Sequence, residues 1–141
     1  MNNMLYIIWS DTYATGIPIL DEQLRGLVSL INSFFFHRND AHGDIEKVLV
    51  PTAEMFKNYL RINFYTVEKL MEESGYPNLE LYRRKHRKIL EVIVHVDKQA
   101  RANRDAGQFL SVLKKYWLRS VQLTSANYVA YLRAYYETQN A

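Results

Sequence analysis

Three prolines and five glycines in 141 residues leave this chain few of the breaks that sheets and tight turns require. No stretch alternates apolar and polar residues with a period of two, whereas apolar residues recur every three or four positions over long segments. Long amphipathic helices are therefore expected. Residues 1–20 read as an irregular arm carrying Trp9, Tyr13, Gly16 and Pro18, with Asp21 as the N-cap of the first helix. Leu24, Leu27, Val28, Ile31, Phe34 and Phe35 then mark that helix to about residue 37.

A second helix is expected from Asp44 to Ser74, kinked or restarted at Pro51 and stopped by Gly75. A third starts near Pro77–Leu79 and frays around Asn103, its inner stripe made by Leu79, Tyr82, His86, Ile89, Leu90, Ile93 and Val94. A fourth begins near Asp105, with Phe109, Leu110, Val112, Leu113, Trp117 and Val121 able to turn inward, and a last helical segment begins near Ser125. Short connections between long helices give an all-α, antiparallel four-helix bundle: one domain over 1–141, with the N-terminal arm, helices over about 21–138 and a short C-terminal helical segment.

Composition narrows the functional classes. With 48% hydrophobic and 23% charged residues the chain suits a single soluble core rather than a disordered tail. The absence of cysteine rules out disulfides, thiolate metal sites and thiol catalysis. No apolar run approaches the roughly 20 residues needed to span a bilayer, so membrane insertion is not expected. The first ten residues lack the pattern of a secretory signal, and a cytoplasmic location is the expectation. No Gly-rich phosphate loop, HExxH or Glu-x-x-His motif is present, and no enzymatic activity is expected.

Three separated motifs carry a family resemblance over about 125 residues. The first is Trp9-Ser-Asp-Thr-Tyr13, followed by Gly16-Ile-Pro and Leu20-Asp-Glu-Gln23. The second is Asn63-Phe64 followed by Glu68-Lys-Leu-Met-Glu-Glu-Ser-Gly-Tyr-Pro77, and the third is Tyr128-Val-Ala-Tyr-Leu132. Together they resemble bacterial hemerythrins, which implies a four-helix bundle holding two irons that bind dioxygen. The resemblance also implies where the iron ligands stand. One is a histidine after the Asp-Glu-Gln of the first helix. The second helix supplies a His and a Glu four residues apart, the third two His four apart, and the fourth a His with an Asp five residues on.

In this chain those positions hold Leu24, Asn63, Val67, Tyr82, His86, Ser120 and Ser125. A one-residue shift in the last helix would substitute Val121 and Ala126. Only His86 matches, and Leu and Val have no lone pair to offer a metal. The expectation is a bundle without the di-iron cofactor of the family. Leu24, Val67 and Tyr82 would fill the space, and Asn63, His86, Ser120 and Ser125 would hydrogen-bond one another or a trapped water.

Other signals are weaker. His37 and His42 flank Asp40 and Asp44 in a polar loop, and His95 reads as core or boundary packing. The run Arg83-Arg-Lys-His-Arg-Lys88 puts Arg83, Arg84, Arg87 and Lys88 on outer faces, with Glu68, Glu72, Glu73 and Glu80 available to balance it. Tyr135 and Tyr136 lie beyond the family motif and are candidates for an aromatic patch that anchors a protein partner. The functional expectation is a metal-free, non-enzymatic module for protein interaction or signalling. One alternative is an oxygen- or iron-binding protein that uses Tyr82, Asn63, His86 and nearby glutamates. The other is a nucleotide or nucleic-acid binder that uses the basic stripe.

Overall fold

The computed structural model describes residues 6–38, 44 and 46–140, except for the side chains of residues 119–127. All regular structure among them is helical. A 3-10 turn (Asp11–Tyr13) precedes α1 (Pro18–His37), α2 (Glu46–Ser74), α3 (Leu79–Asn103), α4 (Ala106–Asn127) and α5 (Val129–Gln139). Helices α1 to α4 each pack on the next, and α4 closes back on α1, which makes the expected four-helix bundle. α5 folds back against α4 and α2.

Local chemistry explains where the helices begin and end. α1 begins three residues before the expected Asp21 cap, because Pro18 at its first turn arrives with helical φ and no N–H to satisfy. Asp21 instead reaches backward. Its carboxylate accepts the Thr15 and Gly16 amides and the Thr15 hydroxyl, at 2.6, 3.2 and 2.7 Å, which fixes the end of the arm. α2 runs unbroken through Pro51, so the helix does not restart there. The proline stands in the second turn, where its missing N–H removes a single intrahelical bond.

α2 ends as expected. Gly75 takes φ +73, and the Tyr76 amide bonds back to the Met71 carbonyl at 2.8 Å. Asp105 caps α4 by accepting the Gln108 amide at 3.0 Å. α4 continues to Asn127, past the expected boundary at Ser125, and the break falls at Tyr128.

The arm is pinned to α1 by one side chain. The Asn32 amide oxygen accepts from the Tyr6 and Ile7 amides at 2.9 and 2.7 Å, and its nitrogen donates to the Ile7 carbonyl at 2.8 Å. The apolar interior falls into two clusters. The larger holds Leu24, Phe34, Phe56, Leu60, Phe64, Ile93, Phe109 and Trp117, and the smaller holds Ile17, Leu20, Val67, Met71, Tyr82, Tyr128 and Leu132.

Two charged residues are buried where no site had been expected. Lys57 on α2 and Asp97 on α3 are 8% and 3% exposed, with Lys57 Nζ 3.4 Å from Asp97 Oδ2. Arg101 grips the same carboxylate with Nε and Nη2 at 2.8 and 2.9 Å, and Glu54 lies 2.7 Å from Lys57. The periodicity contained part of this. Asp97 is four residues after buried Ile93 and three before buried Ala100, on the inner stripe of α3.

Candidate functional site

A layer of polar side chains separates the two clusters, at the height where the family resemblance places metal ligands. Along α1, Gln23 stands between Leu20 of the smaller cluster and Leu24 of the larger. Along α2, Asn63 and Thr66 occur where the sequence passes from Leu60 and Phe64 to Val67 and Met71. Along α3, His86 falls between Tyr82 and Ile93. The helical repeat brings these positions to one level of the bundle.

Within the layer the hydrogen bonds form two separate sets. Asn63 donates to the Gln23 side-chain oxygen at 2.9 Å, and the Gln23 amide donates to the Thr66 hydroxyl at 2.9 Å. His86 Nδ1 lies 2.8 Å from Glu68 Oε2. The imidazole is stacked on Phe64, with ring centroids 4.0 Å apart and planes 3° from parallel. The expected bonding of Asn63 and His86 to one another is thereby corrected. Asn63 turns to α1 and His86 turns back to α2, because Gln23 and Glu68 offer complementary groups within reach. The side chains of Ser120 and Ser125, and of the alternative pair Val121 and Ala126, lie outside the described residues.

Leu24, Val67 and Tyr82 are buried, as their packing role requires. Burial and the neighbouring Tyr76 hold the Tyr82 phenol above its ordinary range, so it stays protonated at neutral pH. His86 is pushed the other way. Desolvation lowers its pKa below 6.5, and the Glu68 carboxylate opposes that shift without cancelling it.

The folded chain therefore holds His86 neutral over a window in which the unfolded chain binds a proton. Stability is expected to be full above pH 6.5 and to fall as pH drops from 6.5 towards the depressed value. Chemical unfolding between pH 5 and 7 checks this, and His86→Gln is expected to flatten that part of the profile. A slope unchanged by the substitution would assign it to other groups.

The di-iron cofactor implied by the resemblance does not fit this donor set. Leu24 and Val67 supply no donor atom, the Asn63 amide is committed to Gln23, and only His86 presents an imidazole. Glu68, one residue after Val67, is the only carboxylate paired with His86 in the layer. Among the described residues no group of three or more His, Asp or Glu side chains is placed to hold a metal ion. Of the polar loop that holds His37 and Asp44, Asp40 and His42 lie outside the described residues. His95 is exposed rather than packed, because position 95 falls on the side of α3 opposite Tyr82, His86 and Ile93.

The surface candidates divide. Arg83 is half-buried among acids, bonded to Glu80 and within 3.5 and 3.6 Å of Glu68 and Glu72, which holds its guanidinium charged. Arg84, Arg87 and Lys88 are exposed, and none pairs with a described carboxylate. Tyr135 is half-buried, and Tyr136 packs partly against the smaller cluster. Tyr131 is the more open ring at 42%, with its hydroxyl donating to the Ser74 carbonyl at 2.9 Å. Among the described residues no helix is long and apolar enough to cross a membrane.

No protein-family model matches the chain. Individual proteins do. A bacteriohemerythrin of Pseudomonas aeruginosa (strain LESB58) is 30% identical over 136 residues, covering 92% of this chain and 84% of that protein. A bacteriohemerythrin of Stenotrophomonas maltophilia (strain R551-3) is 25% identical over 116 residues, covering 82% and 73%. A third, from Pseudomonas paraeruginosa, is 29% identical over 136 residues. With the likeness spread over most of each chain and the helical bundle in place, this chain belongs to the bacteriohemerythrin family.

Proposed function

We propose that this protein is a hemerythrin bundle in which packing and hydrogen bonds have taken the place of the di-iron site, and that it acts without catalysis by binding a protein partner. One observation carries the reading. Of the positions where the family resemblance calls for ligands, those in α1 to α3 hold buried apolar groups, a phenol, an engaged amide and one imidazole that is stacked and hydrogen-bonded inside the chain. A scaffold with that interior offers its surface to other molecules. The cytoplasm and a signalling pathway are the setting this reading favours, since a bundle that turns over no substrate can still relay an interaction. On that surface Arg84, Arg87 and Lys88 are available to acids, and Tyr135 and Tyr136 to an aromatic contact.

Elemental analysis of protein expressed in iron-rich medium tests the central point. Less than about a tenth of an iron, manganese or zinc per chain is expected. About two irons per chain would overturn the proposal and favour an oxygen-binding protein with an unusual ligand set. Charge reversal at Arg84, Arg87 and Lys88 separates the surface readings. A nucleic-acid partner would be lost steeply as salt rises, whereas an aromatic docking contact would respond little.

A further inference from the structure

Three exposed aliphatic side chains border one seam of the bundle, between α1 and α2. Ile19 of α1 and Met55 and Ile62 of α2 are 46%, 50% and 55% exposed. The seam is closed by Tyr59, whose ring comes within 2.9 Å of the point a Cβ on Gly26 would occupy, and by the bond from Gln23 to Thr66. Ile19 stands four residues before Gln23, and Met55 and Ile62 stand four before and three after Tyr59. Each therefore lies one turn from a seam residue. Ser29 and Ser33, one and two turns after Gly26, add short exposed side chains on the same side of α1.

Charge is turned away from this face. After Glu22 and before His37 the one charged residue of α1 is Arg25, and its guanidinium carbon lies over the Trp9 ring of the arm, 4.7 Å from the centroid. On α2, Lys57 reaches Asp97, Glu54 reaches Arg101, and Glu68 reaches Arg83 and His86, all on α3. Arg61 follows Lys57 by four residues and shares that side. Charges return only at one end of the face, with Glu22 on α1 and Lys69 on α2. Both are exposed, and neither pairs with a described residue. An uncharged middle with charge at its border is the anatomy of a protein–protein interface.

Size and symmetry name the occupant. The face is as long as α1, about 30 Å, and two helices wide, about 20 Å, which approaches the roughly 800 Å² that each partner gives to a standard dimer interface. A two-fold axis parallel to the helices lays α1 of each copy on α2 of the other at unchanged height. With Gly26 level with Tyr59 and Gln23 with Thr66, Met55 then meets Ser29 and Ser33 of the other copy, and Ile62 meets Gly26. Glu22 falls within about one turn of Lys69, the charge that complements it. We propose that the outer face of α1 and α2 is a two-fold interface with a second copy of this chain, packed through Met55 and Ile62 and bordered by the Glu22–Lys69 pairs. The face uses none of the positions where the family resemblance places iron ligands, so it stands apart from the reading of the lost metal site. Arg84, Arg87 and Lys88 on α3 stay exposed in both copies.

Sedimentation equilibrium of the full chain, from micromolar to submillimolar concentration, is expected to give twice the 16.7 kDa of one chain. Ile62→Glu buries a carboxylate twice in a two-fold face, and is expected to raise the dissociation constant at least about a hundredfold. Its helical content, read by circular dichroism, is expected to be unchanged because Ile62 is exposed, and Met55→Lys gives a second, independent disruption. Val92→Glu, on the exposed side of α3, is expected to leave the dimer intact. Glu22→Lys is expected to weaken association about tenfold, and adding Lys69→Glu to restore it. A monomer at every concentration, or a dimer that ignores Ile62→Glu and Met55→Lys, would overturn the interface. So would equal weakening by Val92→Glu. A charge exchange that restores nothing would overturn the two-fold arrangement.

Discussion

Asp97→Ala is expected to lower the free energy of unfolding by about 3–5 kcal/mol at pH 7, the range for removing one partner of a buried ion pair. The cost comes from what is left behind. Lys57 is 8% exposed, and without Asp97 its ammonium keeps only Glu54, which lies towards the surface. Lys57→Met is expected to cost less, because Asp97 would retain the two-pronged grip of Arg101. The joint change Lys57→Met with Asp97→Leu is expected to recover much of the loss, since no uncompensated charge would then be buried. Urea unfolding of the three variants checks the order. A joint variant as unstable as Asp97→Ala would show that the pair is needed for more than its own neutralisation.

Leu24→Ala is the second large effect, at about 2–5 kcal/mol, through the loss of buried methyl groups and the cavity that remains. Leu24 is 5% exposed and belongs to the larger cluster, where a hemerythrin ligand set would have a histidine. If the leucine supplies packing, the loss appears whether or not iron is in the medium. An iron-dependent loss would mean that Leu24 shields a metal centre. Thermal unfolding with and without a chelator distinguishes these results.

The helices and their termini were legible where short-range chemistry decides them, as at Gly75 and Asp105. They were misread where a rule met its exception. Pro51 breaks nothing because it lies so near the start of α2, and Pro18 opens α1 ahead of Asp21. Asp21 itself was a sound choice of capping residue on type alone. The structure shows it clasping the loop before the helix, a bond that runs against the direction the rule assumes.

The candidate site was half legible. That Leu24 and Val67 cannot take the place of iron ligands follows from residue type and alignment. That His86 pairs with Glu68, and Asn63 with Gln23, does not. Each of those bonds joins two helices, and which acceptor a side chain finds depends on the rotation and height of both. The same holds for Lys57 and Asp97, 40 residues apart.

By itself, then, the sequence determined the helical class, the apolar stripes of the helices and the presence of Leu24 and Val67 where the resemblance calls for ligands. All three depend on residue identity and on a period of about 3.6 residues. Only the tertiary structure decided which polar groups are paired and which charge is buried. Those outcomes are fixed by the packing of separate helices, where a rotation of one residue exchanges a buried face for an exposed one.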